Sequence, residues 1–124
     1  MSNIIYKDES YAIAGVLFDV YNNLGSGFSE IVYKDAIEYE FKTQNILFQR
    51  EKEFKVQYKD VILPHKFYAD FVLFDKIILE IKSSENLNDK HIAQCINYLK
   101  VSNLKLAILA NFHKDLLDHK RIVL

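Results

Sequence analysis

Apolar residues recur at helical spacing from Ser10 onward, at Ile13, Val16, Leu17, Val20, Tyr21 and Leu24, which predicts a helix with one buried face. Asn23-Leu24-Gly25 supplies its stop signal. Beyond Gly25-Ser26-Gly27, Ser29 is placed to cap a second helix whose apolar side is Val32, Tyr33, Ala36, Ile37 and Phe41, with Asn45 as terminator. The period then changes to two. Phe54, Val56 and Tyr58 alternate with Lys55, Gln57 and Lys59, a strand with one solvated face. A turn at Lys59-Asp60 starts a returning strand at Val61, in which Pro64 is tolerated at an edge or bulge. Two further apolar runs, within residues 68–82 and separated by Asp75-Lys76, read as a buried hairpin. Asn88 then caps a third helix with the stripe Ile92, Ile96 and Leu99, and residues 104–112 form a nearly continuous apolar run, as in a central strand covered on both faces. A helix between two such strands implies a parallel crossover. The expected order is roughly α-α-β-β-β-α-β, an α/β chain built on a mixed sheet flanked by helices, and Ile122-Val123-Leu124 reads as an edge strand after it.

Charge is out of place in the hairpin. Asp70 interrupts the first run, and Glu80 and Lys82 interrupt the second, although charged side chains are seldom buried without partners. Alternation puts Glu80 and Lys82 on one face with Ile78, leaving Ile77, Leu79 and Ile81 on the other; Asp70 shares its face with Tyr68, Val72 and Phe74. A two-residue turn would pair Asp70 with Ile81 and keep the carboxylates on opposite faces. A three-residue loop or a bulge is expected to pair Asp70 with Lys82 and set Glu80 diagonally across, within about 7 to 8 Å. We expect the second register. Two carboxylates so placed repel by roughly 4 kcal/mol at about 4 Å and an effective dielectric near 20. A hard divalent cation, Mg²⁺ or Mn²⁺, relieves that repulsion through oxygen ligands, and Lys82 would stand beside it.

The 124 residues are 50% hydrophobic, enough for the core of one domain spanning residues 1–124. A net charge of -1 gives no global attraction to nucleic acid. A local basic cluster, Arg50, Lys52, Lys55, Lys59, His65 and Lys66, could meet phosphates or simply decorate a solvated strand edge. One cysteine, Cys95, excludes an internal disulfide framework and is expected in the core. No apolar run is long enough for a membrane span and no leader is evident, so a cytoplasmic protein without membrane contact is the default expectation. The four histidines show no ligand spacing, and no glycine-rich phosphate loop or nucleophile elbow is present. Glu30, opening the second helix, complements its dipole whether or not it has another task.

Gly27-Phe28-Ser29-Glu30-Ile31-Val32-Tyr33 matches a GxxExxY pattern. Together with Ala69-Asp70-Phe71, Glu80-Ile81-Lys82, Gln94-x-x-x-Tyr98 and Asn111-Phe112 it resembles the GxxExxY family of small bacterial and archaeal proteins, placed in the PD-(D/E)xK nuclease superfamily. Ala69 stands where the superfamily motif has proline. The resemblance implies a restriction-endonuclease-like fold and metal-assisted phosphodiester hydrolysis. It implies that Glu30, Asp70 and Glu80, with the main-chain carbonyl of Ile81, hold Mg²⁺ or Mn²⁺. It further implies that Lys82 orients water or stabilises the developing charge, and that Gln94 and Tyr98 contact the nucleic-acid strand. DNA is the expected partner, and the small surface leaves room for a homodimer. Two alternatives stand beside a nuclease: a binding or protein-interaction module retaining the fold without turnover, and a structural role in which Glu80 and Lys82 merely pair.

Overall fold

The computed structural model describes residues 4–113 and 115–124. Two helices, α1 (Lys7–Leu24) and α2 (Glu30–Thr43), precede three strands, β1 (Phe48–Tyr58), β2 (Val61–Leu73) and β3 (Ile77–Lys82); α3 (Asp89–Ser102) then leads to β4 (Leu106–Phe112) and β5 (Leu117–Val123). The strands form one sheet in the order β1-β2-β3-β4-β5. Only β3 and β4 run parallel; the other neighbours are antiparallel. The expected order is observed as far as β4, and an eighth element, β5, follows it, starting at Leu117 rather than Ile122.

One end of each helix has a local cause in the backbone or a cap. Gly25 ends α1 with φ 69°, where its N–H donates to the Tyr21 carbonyl. Ser29 precedes α2 through its backbone alone, its carbonyl accepting from Val32 N at 3.1 Å, so the expected hydroxyl cap is not made. Asn88 is a side-chain cap, accepting from Lys90 N and His91 N while His91 Nδ1 accepts from Asn88 N.

Helices α1 and α2 pack on one face of the sheet through Ile13, Leu17, Tyr33, Ile37 and Phe41, over Leu79, Ile81 and Ile108. Helix α3 packs on the other through Cys95, Tyr98 and Leu99, over Ile78, Ala107 and Leu109. Consecutive residues of β3 and β4 thus serve opposite cores. Every residue of β4 is buried, as its continuous apolar run requires.

The long β1–β2 hairpin breaks the rule of alternation. Phe71 and Leu73 enter the α1/α2 core, but Ala69 and Phe67, which alternation would place on the same face, pack with α3. On β1, Phe48 and Phe54 divide in the same way. The change of face falls at Glu51, which stands opposite Asp70 in a register that pairs Arg50 with Phe71 and Lys52 with Ala69. Glu51 has φ 53°, a left-handed backbone that non-glycine residues rarely adopt. A second irregularity, between Lys55 and Gln57, sets Val56 against the segment containing Pro64, in keeping with a proline confined to a bulge.

Candidate active site

The β2–β3 ladder pairs Leu73 with Ile77, Val72 with Ile78 and Phe71 with Leu79. The loop is therefore the three residues Phe74, Asp75 and Lys76, with Phe74 and Asp75 at positive φ. The odd register is observed, but its consequence differs from the expected one. Asp70 and Glu80 each lie three residues from the closing pair Leu73 and Ile77, so Asp70 faces Glu80 and not Lys82.

At that position carboxylates replace the ladder. Asp70 N donates to Glu80 Oε2 at 2.6 Å, and Ile81 N donates to Asp70 Oδ2 at 2.8 Å. Each strand thus gives an amide to a side chain of the other, which fixes both carboxylates. Glu80 is only 3% exposed. Burial, reinforced by the Asp70 charge, pushes its carboxyl up to about 8, although the Asp70 amide and the charges of Lys82 and Lys34 work in the other direction.

A residue that the sequence patterns did not single out completes this arrangement. Lys34 Nζ lies 3.0 Å from Asp70 Oδ1 and 3.0 Å from Glu51 Oε1, with its side chain 13% exposed. It sits one turn after Glu30 on α2, and that i,i+4 spacing is the signal by which it was findable. The left-handed Glu51 supplies its second partner.

Glu30 approaches from the N-terminus of α2. Its Oε2 accepts from Ser83 N at 3.4 Å, just past the end of β3. The same turn is held on two more sides. Ser83 Oγ donates to the Phe28 carbonyl, while the buried Asn111 accepts from Ser84 N and donates to the Ser84 carbonyl, both at 3.0 Å. Tyr33 secures the preceding loop by donating to the Gly25 carbonyl at 2.7 Å, and its ring stacks on Phe112 at 4.1 Å. The Gly27, Glu30, Tyr33 pattern therefore has a structural half, in Tyr33, and a half that brings a carboxylate to the end of β3.

Of the remaining expected residues, Lys82 is half-buried on the side of Glu80 and makes no ion pair among the described residues. The Ile81 side chain is in the α1/α2 core, leaving only its main chain to the site. Gln94 is half-buried. Tyr98 is 4% exposed and packs edge-on against Phe67 at 5.7 Å. Burial, with the Glu80 and Asp70 charges next, raises its hydroxyl pKa.

Among the described residues, no group of three or more His, Cys, Asp or Glu side chains converges closely enough to hold a metal ion. Asp70 and Glu80 come together; Glu30 is held apart by the Ser83 amide. In kind, however, the donors suit a hard divalent cation. They are oxygens from three elements, and one is a buried acid beside another that an added positive charge would ionise. Next to Asn111 lies a cleft of about 260 Å³, lined in part by Glu85, His113, Asp118 and Lys120. It opens at the carboxyl ends of the parallel pair β3 and β4, where α/β sheets commonly bind ligands.

A mixed sheet with two helices on one face and one on the other, and acids where a β-hairpin parts, defines a restriction-endonuclease-like fold. Solved structures agree. The SSO0001 protein superposes with a TM-score of 0.59 at 20% identity, over 94% of this chain and 54% of that one. An alkaline exonuclease, LHK-Exo from Laribacter hongkongensis, gives a TM-score of 0.55 at 9% identity, over 98% of this chain and 72% of that one. The chain thus spans about half the length of the first of these. No match is found among curated proteins. The family model of the PD-(D/E)XK nuclease superfamily matches residues 7–122, and the chain belongs to that superfamily.

Proposed function

We propose that the chain is a Mg²⁺- or Mn²⁺-dependent nuclease that hydrolyses DNA phosphodiester bonds, acting as one domain over residues 1–124 and belonging to the GxxExxY branch of its superfamily. The observation that carries the reading is the Asp70–Glu80 clasp. Two facing carboxylates, one nearly inaccessible, are fixed by the backbone amides of Asp70 and Ile81 at the point where β2 and β3 separate. Such a pair is unfavourable for folding alone, which is the mark of a site kept for chemistry. An exonuclease among the structural neighbours and the superfamily itself support phosphodiester chemistry.

In this reading Glu30, Asp70, Glu80 and the Ile81 carbonyl hold the ion. When bound, the ion supplies positive charge to the phosphoryl oxygens and acidifies water. Lys82, on the Glu80 face, stabilises the negative charge that grows on phosphorus-bound oxygen and orients the attacking water. Gln94, on the α3 flank, hydrogen-bonds the strand, and Tyr98 supports Glu80 from the core. DNA is the partner, a homodimer enlarges the grip on a duplex, and the cytoplasm is the compartment that suits both.

The separation of Glu30 from the other two acids favours a second reading, a DNA-binding module without turnover. One experiment decides between them. Calorimetric titration with Mn²⁺ of wild type and Asp70→Asn is paired with cleavage of labelled single- and double-stranded DNA. Metal binding lost in Asp70→Asn, with cleavage lost in Glu80→Ala, supports the nuclease. Salt-dependent DNA binding without metal-dependent cleavage supports the module.

A further inference from the structure

Lys34 holds the place at Asp70 that a divalent cation would need. Its ammonium contacts Asp70 Oδ1 at 3.0 Å, the one oxygen of that carboxylate not already committed to the Ile81 amide. A buried ammonium displaced from its only anion is strongly destabilising. Lys34 is not in that position, because Glu51 Oε1 lies at the same distance on its other side and is half-exposed to solvent. Glu51 reaches there from left-handed backbone, a conformation that is strained for a residue other than glycine. Strain of this kind persists where surrounding contacts impose it, and here it aims a carboxylate at Lys34.

From this geometry we infer that Lys34 is the exchangeable counter-ion of the site. With no divalent ion bound, it neutralises the Asp70 side of the clasp and keeps the strands in place. When an ion takes Asp70 Oδ1, the ammonium withdraws onto Glu51. Lys34 is therefore a positioning residue that sets how much divalent ion is required to fill the site, and Glu51 makes the exchange easy. The inference rests on the metal reading above, because a site that never takes an ion has nothing to exchange.

The test uses the full chain, Mn²⁺ as the only probe, and the variants Lys34→Met, Glu51→Gln and their combination. Lys34→Met removes a unit charge from beside the ion and is expected to bind Mn²⁺ about tenfold more tightly than wild type. Without metal it melts below wild type, and Mn²⁺ raises its melting temperature more. Glu51→Gln, which leaves Lys34 in place, weakens Mn²⁺ binding in wild type but changes little once Lys34 is Met, so the two effects are coupled. Unchanged or weaker Mn²⁺ binding by folded Lys34→Met overturns the inference, as does an equal effect of Glu51→Gln in both backgrounds. Absence of Mn²⁺ binding in wild type and every variant overturns the metal reading and this inference with it. Binding by wild type without the coupling overturns the inference alone.

Discussion

Replacing Glu80 by Gln should make the metal-free protein more stable, increasingly so as pH rises. Glu80 is almost wholly buried, and its carboxyl is pushed from 4.5 to about 8 by desolvation first and the Asp70 charge second. Between those values the folded chain keeps a proton that the unfolded chain has released. Folding then binds protons, so stability falls as pH rises through that window and stops falling above about 8. One proton over two pH units, from about pH 5 to about pH 7, amounts to about 3 kcal/mol lost by wild type. Gln does not titrate, and its side-chain oxygen can still accept from Asp70 N, so the variant escapes this loss. Urea unfolding of both proteins in EDTA at the two pH values measures the difference. Asp70→Asn removes only the second cause and should retain most of the wild-type slope. Parallel stability profiles for wild type and Glu80→Gln would refute the reasoning, because the buried carboxyl would then be ionised in the folded state without penalty.

Three further outcomes are expected. Tyr33→Phe removes a hydroxyl that bridges the Gly25 carbonyl and the Phe28 amide; it should lower stability in urea by about 1 to 2 kcal/mol while leaving Mn²⁺ affinity within about twofold of wild type. Asn111→Ala leaves the amide and carbonyl of Ser84 without their partner. It should destabilise by roughly 2 to 3 kcal/mol, and, because Ser83 holds Glu30, it should also reduce DNA cleavage by more than that loss of fold explains. The Cys95 thiol is buried and pushed up to about 12, chiefly by desolvation. It should react with a thiol-specific reagent only on unfolding, and rapid labelling of the native chain would contradict its placement.

Much of the fold can be read from periodicity because one physical rule decides each element. The stripes of α1, α2 and α3 and the unbroken apolar run of β4 each follow from which residues avoid water. Hairpin register is harder, since it depends on loop length, and the three-residue loop through Phe74 and Asp75 carries no Asn-Gly or similar signature. The change of face at Glu51 was not legible at all. Alternation assumes a strand of steady twist, and only tertiary packing reveals that Ala69 and Phe71 serve different cores. The cover over Tyr98 was hidden for a related reason: its spacing from Gln94 suggests a shared flank, and the folded-over β1–β2 hairpin lays Phe67 against it. Lys34 carries one mark in the sequence, its helical spacing from Glu30, but its partners Glu51 and Asp70 come from other elements and only the fold brings them together.

The reversal of facing along β1 and β2 ties the seating of the hairpin to both helical layers at once. The segment before the reversal docks on one helical layer and the segment after it on the other, so the bend at Glu51 and Asp70 is framed by both cores.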